Sequence, residues 1–235
     1  MPTFRWSDLK KEVFDPEFSS ASASVYRGEK IQVASASYPA ATEVKAHSIP
    51  QEQVHSVLKG KAKYRVDAEE GLVGAGEAVL VRSNTSYAVQ ILEDLEVVVF
   101  RELLHRPTAK SEGTVESAFF KWEQMKSGFI TPKYSAAWGP TLTGERIEVA
   151  LFFFPAGTEG KPHSHPNEQI QVVLKGKAKA FIEEEGEHLI EPGCGILYPV
   201  NRKHGAQILE DYTLLNCKDI VPGWSVYSAR WEKEK

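Results

Sequence analysis

Apolar residues run through the chain in short stretches, each broken by Gly, Pro, Asn or acidic turns. "ERIEVALFFF" from Glu145, "EQIQVVLKGKAKAFI" from Glu168, "CGILYPV" from Cys194 and "YTLLNCKDI" from Tyr212 are rich in β-branched and aromatic residues and read as strands. Helical periodicity is nearly absent. Only "WSDLKKE" at Trp6 and "WEQMKSG" at Trp122 offer helical turns, and both are short. The acidic runs "DAEEG" at Asp67 and "EEEGE" at Glu183 stand between apolar stretches and read as solvated hairpin tips. "LFFFP" at Leu151 predicts a strand buried on both faces. The pattern predicts an all-β protein.

The strands repeat with a period of 116 residues. Gly28 to Asp67 and Gly144 to Glu183 share 22 identities in 40 positions, among them "GEKIQVA" against "GERIEVA" and "KAHSIP" against "KPHSHP". Upstream, "FRW" at Phe4 faces "FKW" at Phe120 and Pro16 faces Pro132; downstream, after a one-residue shift, "QILED" recurs at Gln90 and Gln207. The chain is two copies of one unit, with an expected boundary near Lys110 to Gly113 in a polar stretch, giving domains 1–112 and 113–235. Many short strands in a unit of about 110 residues predict a double-sheet jelly roll in each copy. The Trp6 and Trp122 pair recurs at the same repeat position, which favours packing over a site role.

Composition narrows the function. At 42% hydrophobic residues the chain can bury two cores, and a formal net charge of -4 supplies no basic field for nucleic acid or anionic lipid. No run approaches the roughly 20 apolar residues of a membrane helix, and the opening "MPTFRWSDLKKEV" lacks a signal-peptide core. Two cysteines, Cys194 and Cys217, do not make a disulfide framework and read as buried reduced thiols. A cytoplasmic protein acting on small molecules is expected.

The second copy carries the chemistry. His163 and His165 are two apart at the expected start of a strand, Gln169 follows across a "PN" turn, and His204 stands about forty residues on. Three imidazoles inside an apolar barrel are costly unless something coordinates them, and a divalent metal satisfies all three. Glu168 is one residue off this spacing, with parity that turns it away. Gln171 and Val173 follow Gln169 at even spacing and should face the same cavity. Gln171 is a candidate substrate contact, and Tyr198 is either a candidate general acid or wall packing. Arg146 and Lys161 are candidate carboxylate holders, with exposed surface charge the better expectation for each.

Gly157, His163-x-His165-x-x-x-Gln169 and Gly176, followed by Gly193, Pro199 and His204, resemble the two motifs of the cupins, and the repeat makes the chain resemble a bicupin. The resemblance implies two tandem jelly-roll barrels and one divalent transition metal (Zn, Fe, Ni, Cu, Mn or Co) held by His163, His165, Gln169 and His204. Many cupins have Glu where this chain has Gln169. In the first copy the equivalent positions are His47, Ile49, Gln53 and Tyr87, which is too few ligands for a transition metal. That barrel is expected to be degenerate. Two alternatives stay open: a rewired site in which His55 joins His47, and an anion pocket lined by Arg82 and Tyr87.

A neutral amide ligand leaves the metal its full charge, which favours Lewis-acid work on a small oxo or hydroxy acid. The pattern is similar to that of bicupins of the bacilysin-pathway isomerase type and of the small uronate-linearising cupins. A redox-neutral isomerase, tautomerase or cyclase with a small anionic substrate is therefore expected. A cupin dioxygenase using Fe, Ni or Cu and a non-catalytic ligand-binding bicupin are the alternatives, and pairing into a homodimer is open.

Overall fold

A computed structural model describes residues 2–104, 114–115, 117–130 and 133–222. The chain divides into two compact units, each all-β. The expected linker at Lys110 to Gly113 lies outside the described residues.

Each unit pairs a seven-stranded sheet with a four-stranded one. In the later unit the larger sheet runs Thr3–Arg5, Cys194–Tyr198, Gln169–Lys175, Tyr212–Asp219, Ile147–Phe154, Trp138–Thr143, Ser127–Phe129, and the smaller runs Glu159–His163, His204–Ile208, Ala178–Ile182, Gly186–Ile190. The earlier unit has the same order strand for strand. Its larger sheet is Phe119–Lys121, Glu77–Val81, Gln53–Lys59, Leu95–Glu102, Ile31–Tyr38, Ser22–Arg27, Lys11–Val13, and its smaller is Glu43–His47, Tyr87–Ile91, Lys61–Val66, Glu69–Gly74. All the sheet pairings are antiparallel, and the apolar residues of the two sheets in each unit meet in one core. Matching glycines turn matching corners: Gly60 and Gly176 have φ of 82° and 77°, and a Cβ there would stand 2.1 and 2.0 Å from the carbonyl oxygens of Asp94 and Asp211. The two predicted helical turns are single 3-10 turns, Trp6–Asp8 and Trp122–Gln124. Among the described residues no helix is long and apolar enough to cross a membrane.

Two features differ from the sequence expectation. First, the units exchange their leading strands. Thr3–Arg5 pairs with Cys194–Tyr198 in the later unit, and Phe119–Lys121 pairs with Glu77–Val81 in the earlier one, so the division into 1–112 and 113–235 is crossed once in each direction. The "FRW" and "FKW" segments are nearly identical, so they do not by themselves tell which edge each one joins. Second, "LFFFP" is not buried on both faces. Ile147–Ala150 is buried throughout, but Phe153 is 40% exposed and stands in register beside the exposed Trp138, which in turn pairs with Phe129. The acidic tips at Asp67 and Glu183 are exposed turns, as expected. Trp122 is buried and donates from its indole to Ser56 Oγ at 3.2 Å, a packing role.

Phe4 anchors the exchanged strand. It is 7% exposed, and its ring sits so close to Gly195 that a Cβ there would be 2.1 Å from Phe4 Cζ. Deleting a buried phenylalanine ring costs about 3–5 kcal/mol. Phe4→Ala is expected to lower the unfolding free energy by about 3 kcal/mol in urea denaturation; a loss under about 1 kcal/mol would show that the strand is not anchored there.

Candidate metal centre

Three histidines converge in the later barrel. His163 closes the strand Glu159–His163, His204 opens the strand His204–Ile208 directly opposite it, and His165 lies in the turn between His163 and Gln169. The expectation that His163 and His165 share the start of one strand is thus corrected. Pro166 has no N–H to give to a ladder, and "SHPN" leaves the sheet until Gln169. A register shift between Gly160 and His163 brings the two histidines face to face, and Gly205 allows the close approach: a Cβ there would be 2.7 Å from Gly160 O. The turn is tied down from the last strand. Asn167 Nδ2 donates to Asp219 O at 2.5 Å and Glu168 N donates to Asp219 Oδ1 at 2.6 Å, while from the loop before His204 Asn201 N donates to His165 O at 2.9 Å.

Ring nitrogens of His163, His165 and His204 all lie within 4.8 Å of one another, and this is the one such group of three or more among the described residues. Each ring gives its Nδ1 to a backbone carbonyl: Lys161 at 2.7 Å, Asn167 at 3.0 Å and Arg202 at 2.8 Å respectively. A carbonyl only accepts, so Nδ1 carries the proton and each Nε2 is left as a lone pair. Burial keeps the rings neutral. It lowers the pKa of His163, and draws His165 to about 2 and His204 to about 3, with the charge of Lys218 adding to the effect on all three.

Gln169 completes the set. Its Nε2 donates to Asn216 Oδ1 at 2.6 Å, which turns its Oε1 to within 2.8 Å of His165 Nε2. With His165 neutral and its proton on Nδ1, two acceptors face each other with no hydrogen between them. A divalent transition metal accepts from all of them, so the donor set of three imidazole nitrogens and one amide oxygen fits one. The structure therefore brings together His163, His165, Gln169 and His204, the four residues singled out from sequence. Glu168 is buried but does not line this site.

Beside the histidines is a cavity of about 60 Å³, walled largely by apolar residues including Phe152, Phe154, Ile208 and Leu214. Gln171 lines it and donates to Asn216 Oδ1 at 3.3 Å; Val173 lies in the core below. Tyr198 also lines it, stacked on His204 with ring centroids 4.3 Å apart, and burial raises the pKa of its hydroxyl. Neither Arg146 nor Lys161 reaches it. Arg146 is half-buried elsewhere, and Lys161 is exposed in an outer cleft beside Tyr134. Sequence reasoning missed two inward residues of the last strand, Asn216 and Lys218. The signal was present: Tyr212, Leu214, Asn216 and Lys218 alternate on one face, so a lysine stood at a core position.

In the earlier barrel the equivalent space is filled. Tyr87 packs against His47 at 4.4 Å and His55 at 5.7 Å between ring centroids, Phe18 stacks on His47 at 3.9 Å, and His55 Nδ1 meets Tyr64 OH at 3.3 Å. Tyr64 and Tyr87 belong to the hydrophobic core. Burial holds His55 at about 3 and pushes Tyr87 up to about 12. His47, Gln53 and His55 are all buried, and no third nitrogen or carboxylate joins the two histidines among the described residues. An anion pocket at Arg82 and Tyr87 is not formed: Arg82 donates to Val115 O, and Tyr87 faces the core.

Residues 150–213 match the Cupin domain family. No curated protein matches the chain in sequence. Solved structures share the fold across both barrels. AerE from Microcystis aeruginosa is 16% identical, with a TM-score of 0.73 over 90% of this chain and 97% of its own. Protein Ylba from E. coli is 12% identical, with a TM-score of 0.72 over 93% and 90%. Oxalate decarboxylase from Bacillus subtilis is 13% identical, with a TM-score of 0.69 over 94% and 76%.

The buried neutral histidines set a pH dependence. With folded values near 2 and 3 for His165 and His204 against 6.5 when unfolded, the unfolded chain binds more protons below pH 6.5. Stability is therefore full above that pH and falls as pH drops, by about 1.4 kcal/mol per unit for each histidine. The unfolding free energy of chelator-treated protein should fall steadily from pH 6.5 to 4.5, and His204→Gln should flatten the slope. A pH-independent difference between the two proteins would contradict the assignment.

Proposed function

We propose that this chain, whose residues 150–213 form a cupin domain within a two-barrel cupin fold, is a metal-dependent, redox-neutral enzyme of the isomerase, tautomerase or cyclase type acting on a small oxo or hydroxy acid. His163, His165, Gln169 and His204 hold one divalent transition metal. The observation that carries this reading is the set of three Nδ1-anchored imidazoles completed by an amide rather than a carboxylate. Replacing a carboxylate by Gln169 removes an anion worth on the order of 5 kcal/mol per unit charge of the ion, at about 3 Å with an effective dielectric near 20. When bound, the ion supplies undiminished Lewis acidity, which polarises a carbonyl and offsets the charge that develops as a neighbouring C–H proton leaves.

The chain's own residues do the rest. Asn216 fixes the Gln169 amide so that its oxygen, not its nitrogen, faces the histidines. The apolar wall of Phe152, Phe154, Ile208 and Leu214 excludes water and strengthens each polar contact inside. Gln171 presents an amide to the substrate, and Tyr198, its hydroxyl kept protonated by burial, donates to a substrate oxygen.

The test is solvent exchange. In heavy water, metal-loaded protein should catalyse deuterium incorporation next to the carbonyl of trial acids such as pyruvate and 2-oxobutyrate, followed by NMR, without oxygen uptake. Gln169→Glu should slow that exchange at least tenfold. Substrate-dependent oxygen uptake after loading with iron, nickel or copper would establish a dioxygenase instead, and binding without exchange a non-catalytic receptor.

A further inference from the structure

Tyr212 opens the last strand and lines the cavity beside the histidines. It is 1% exposed, and its hydroxyl has no hydrogen-bond partner among the described residues. A buried hydroxyl without a partner is unfavourable, because it gives up its hydrogen bonds to water and gains none. The ring is held by its surroundings: it stands in register opposite Phe154, with ring centroids 6.3 Å apart, inside the hydrophobic core of the later barrel. Burial, with Tyr198 and Cys194 nearby, pushes its pKa up, so the phenol keeps its proton and can donate.

The duplication shows that the fold does not need this hydroxyl. Leu95 takes the place of Tyr212 in the earlier barrel, in register with Tyr38 as Tyr212 is with Phe154, and is buried just as deeply. Val81 likewise stands in register with Gln53 where Tyr198 stands with Gln169. Where the earlier barrel buries a phenol, at Tyr64, it supplies a partner, His55 Nδ1 at 3.3 Å from the hydroxyl. The later copy thus carries two phenols in place of two aliphatic side chains around its cavity, and that of Tyr212 is left unsatisfied.

The cavity wall says which part of a ligand would meet it. Lys218, near the end of the last strand, is in register with Gln169 and marks the side of the metal ligands, whereas Tyr212 begins that strand. Phe152, Phe154, Ile208 and Leu214 make the wall apolar. At about 10–15 Å³ for each water-sized atom, a cavity of about 60 Å³ holds a tail of about four to six atoms. We infer that Tyr212 donates to an oxygen at the far end of the substrate, so that the site selects small acids whose short apolar chain ends in a hydroxyl or carbonyl oxygen. The oxo-acid head at the metal rests on the proposed function; the contact of the tail rests on the unpartnered hydroxyl.

Calorimetry on metal-loaded protein with 4-hydroxy-2-oxobutanoate and 2-oxopentanoate, which differ only in a terminal hydroxyl against a methyl, tests this. Tyr212→Phe should shift the ratio of the two affinities toward 2-oxopentanoate by at least about threefold, the effect of one neutral hydrogen bond. It should also leave the Tm of ligand-free protein unchanged or raised, because the hydroxyl has no partner there to lose. A smaller shift in the ratio would overturn the inference and assign the hydroxyl to an ordered water only. A Tm lowered by more than about 3 °C would reveal a structural partner and overturn it too, as would binding of neither acid to wild type. If the proposed chemistry is wrong and this inference right, both acids bind without deuterium exchange and the ratio still responds to Tyr212→Phe. If only this inference is wrong, exchange proceeds and the ratio does not respond.

Discussion

Three hydrogen bonds from imidazole to main chain decide what the later barrel can do. By fixing the proton on Nδ1 of His163, His165 and His204, the carbonyls of Lys161, Asn167 and Arg202 aim three lone pairs into one space. Burial then denies those rings the proton that would otherwise satisfy them. Three lone pairs aimed at one point are well suited to a cation. The bulge at Gly160, the close approach at Gly205 and the clamp of Asp219 on the turn after His165 all hold that geometry in place.

The duplication shows what happens when the constraint is relaxed. The earlier barrel keeps the sheet order, the corner glycines, and even the Nδ1 contact of His47 to Lys45 O at 2.7 Å. It replaces His165 and His204 by Ile49 and Tyr87, and Tyr64 stands where the later barrel has Ala180. The aromatic rings fill the volume that is a cavity in the second copy. One scaffold thus supports a packed core and an open site, and the difference lies in a few inward side chains rather than in the backbone.

Much of this was legible in the sequence. Strand composition and the 116-residue period pointed to the all-β class and two copies, and the spacing of the histidines singled out His163, His165, Gln169 and His204, which the fold brings together. What escaped depends on partners distant in sequence. Matching "FRW" and "FKW" segments do not by themselves reveal that they trade places. "LFFFP" reads as buried because hydrophobicity is local, whereas the exposure of Phe153 depends on Trp138 and Phe129 lying beside it. Lys218 and Asn216 were hidden by parity: in "NCKDI" only the register against Gln169 shows which side chains turn inward.

Everything chemical about this protein follows from whether the later barrel grips an ion and the earlier one does not. Elemental analysis of purified, extensively dialysed protein, read as metal atoms per chain, measures that directly. The account predicts one transition-metal atom per chain, lost when His165 and His204 are both replaced by glutamine and unaffected by His47→Gln. Zero atoms in metal-supplemented wild type, or two with one lost on changing His47, would contradict it.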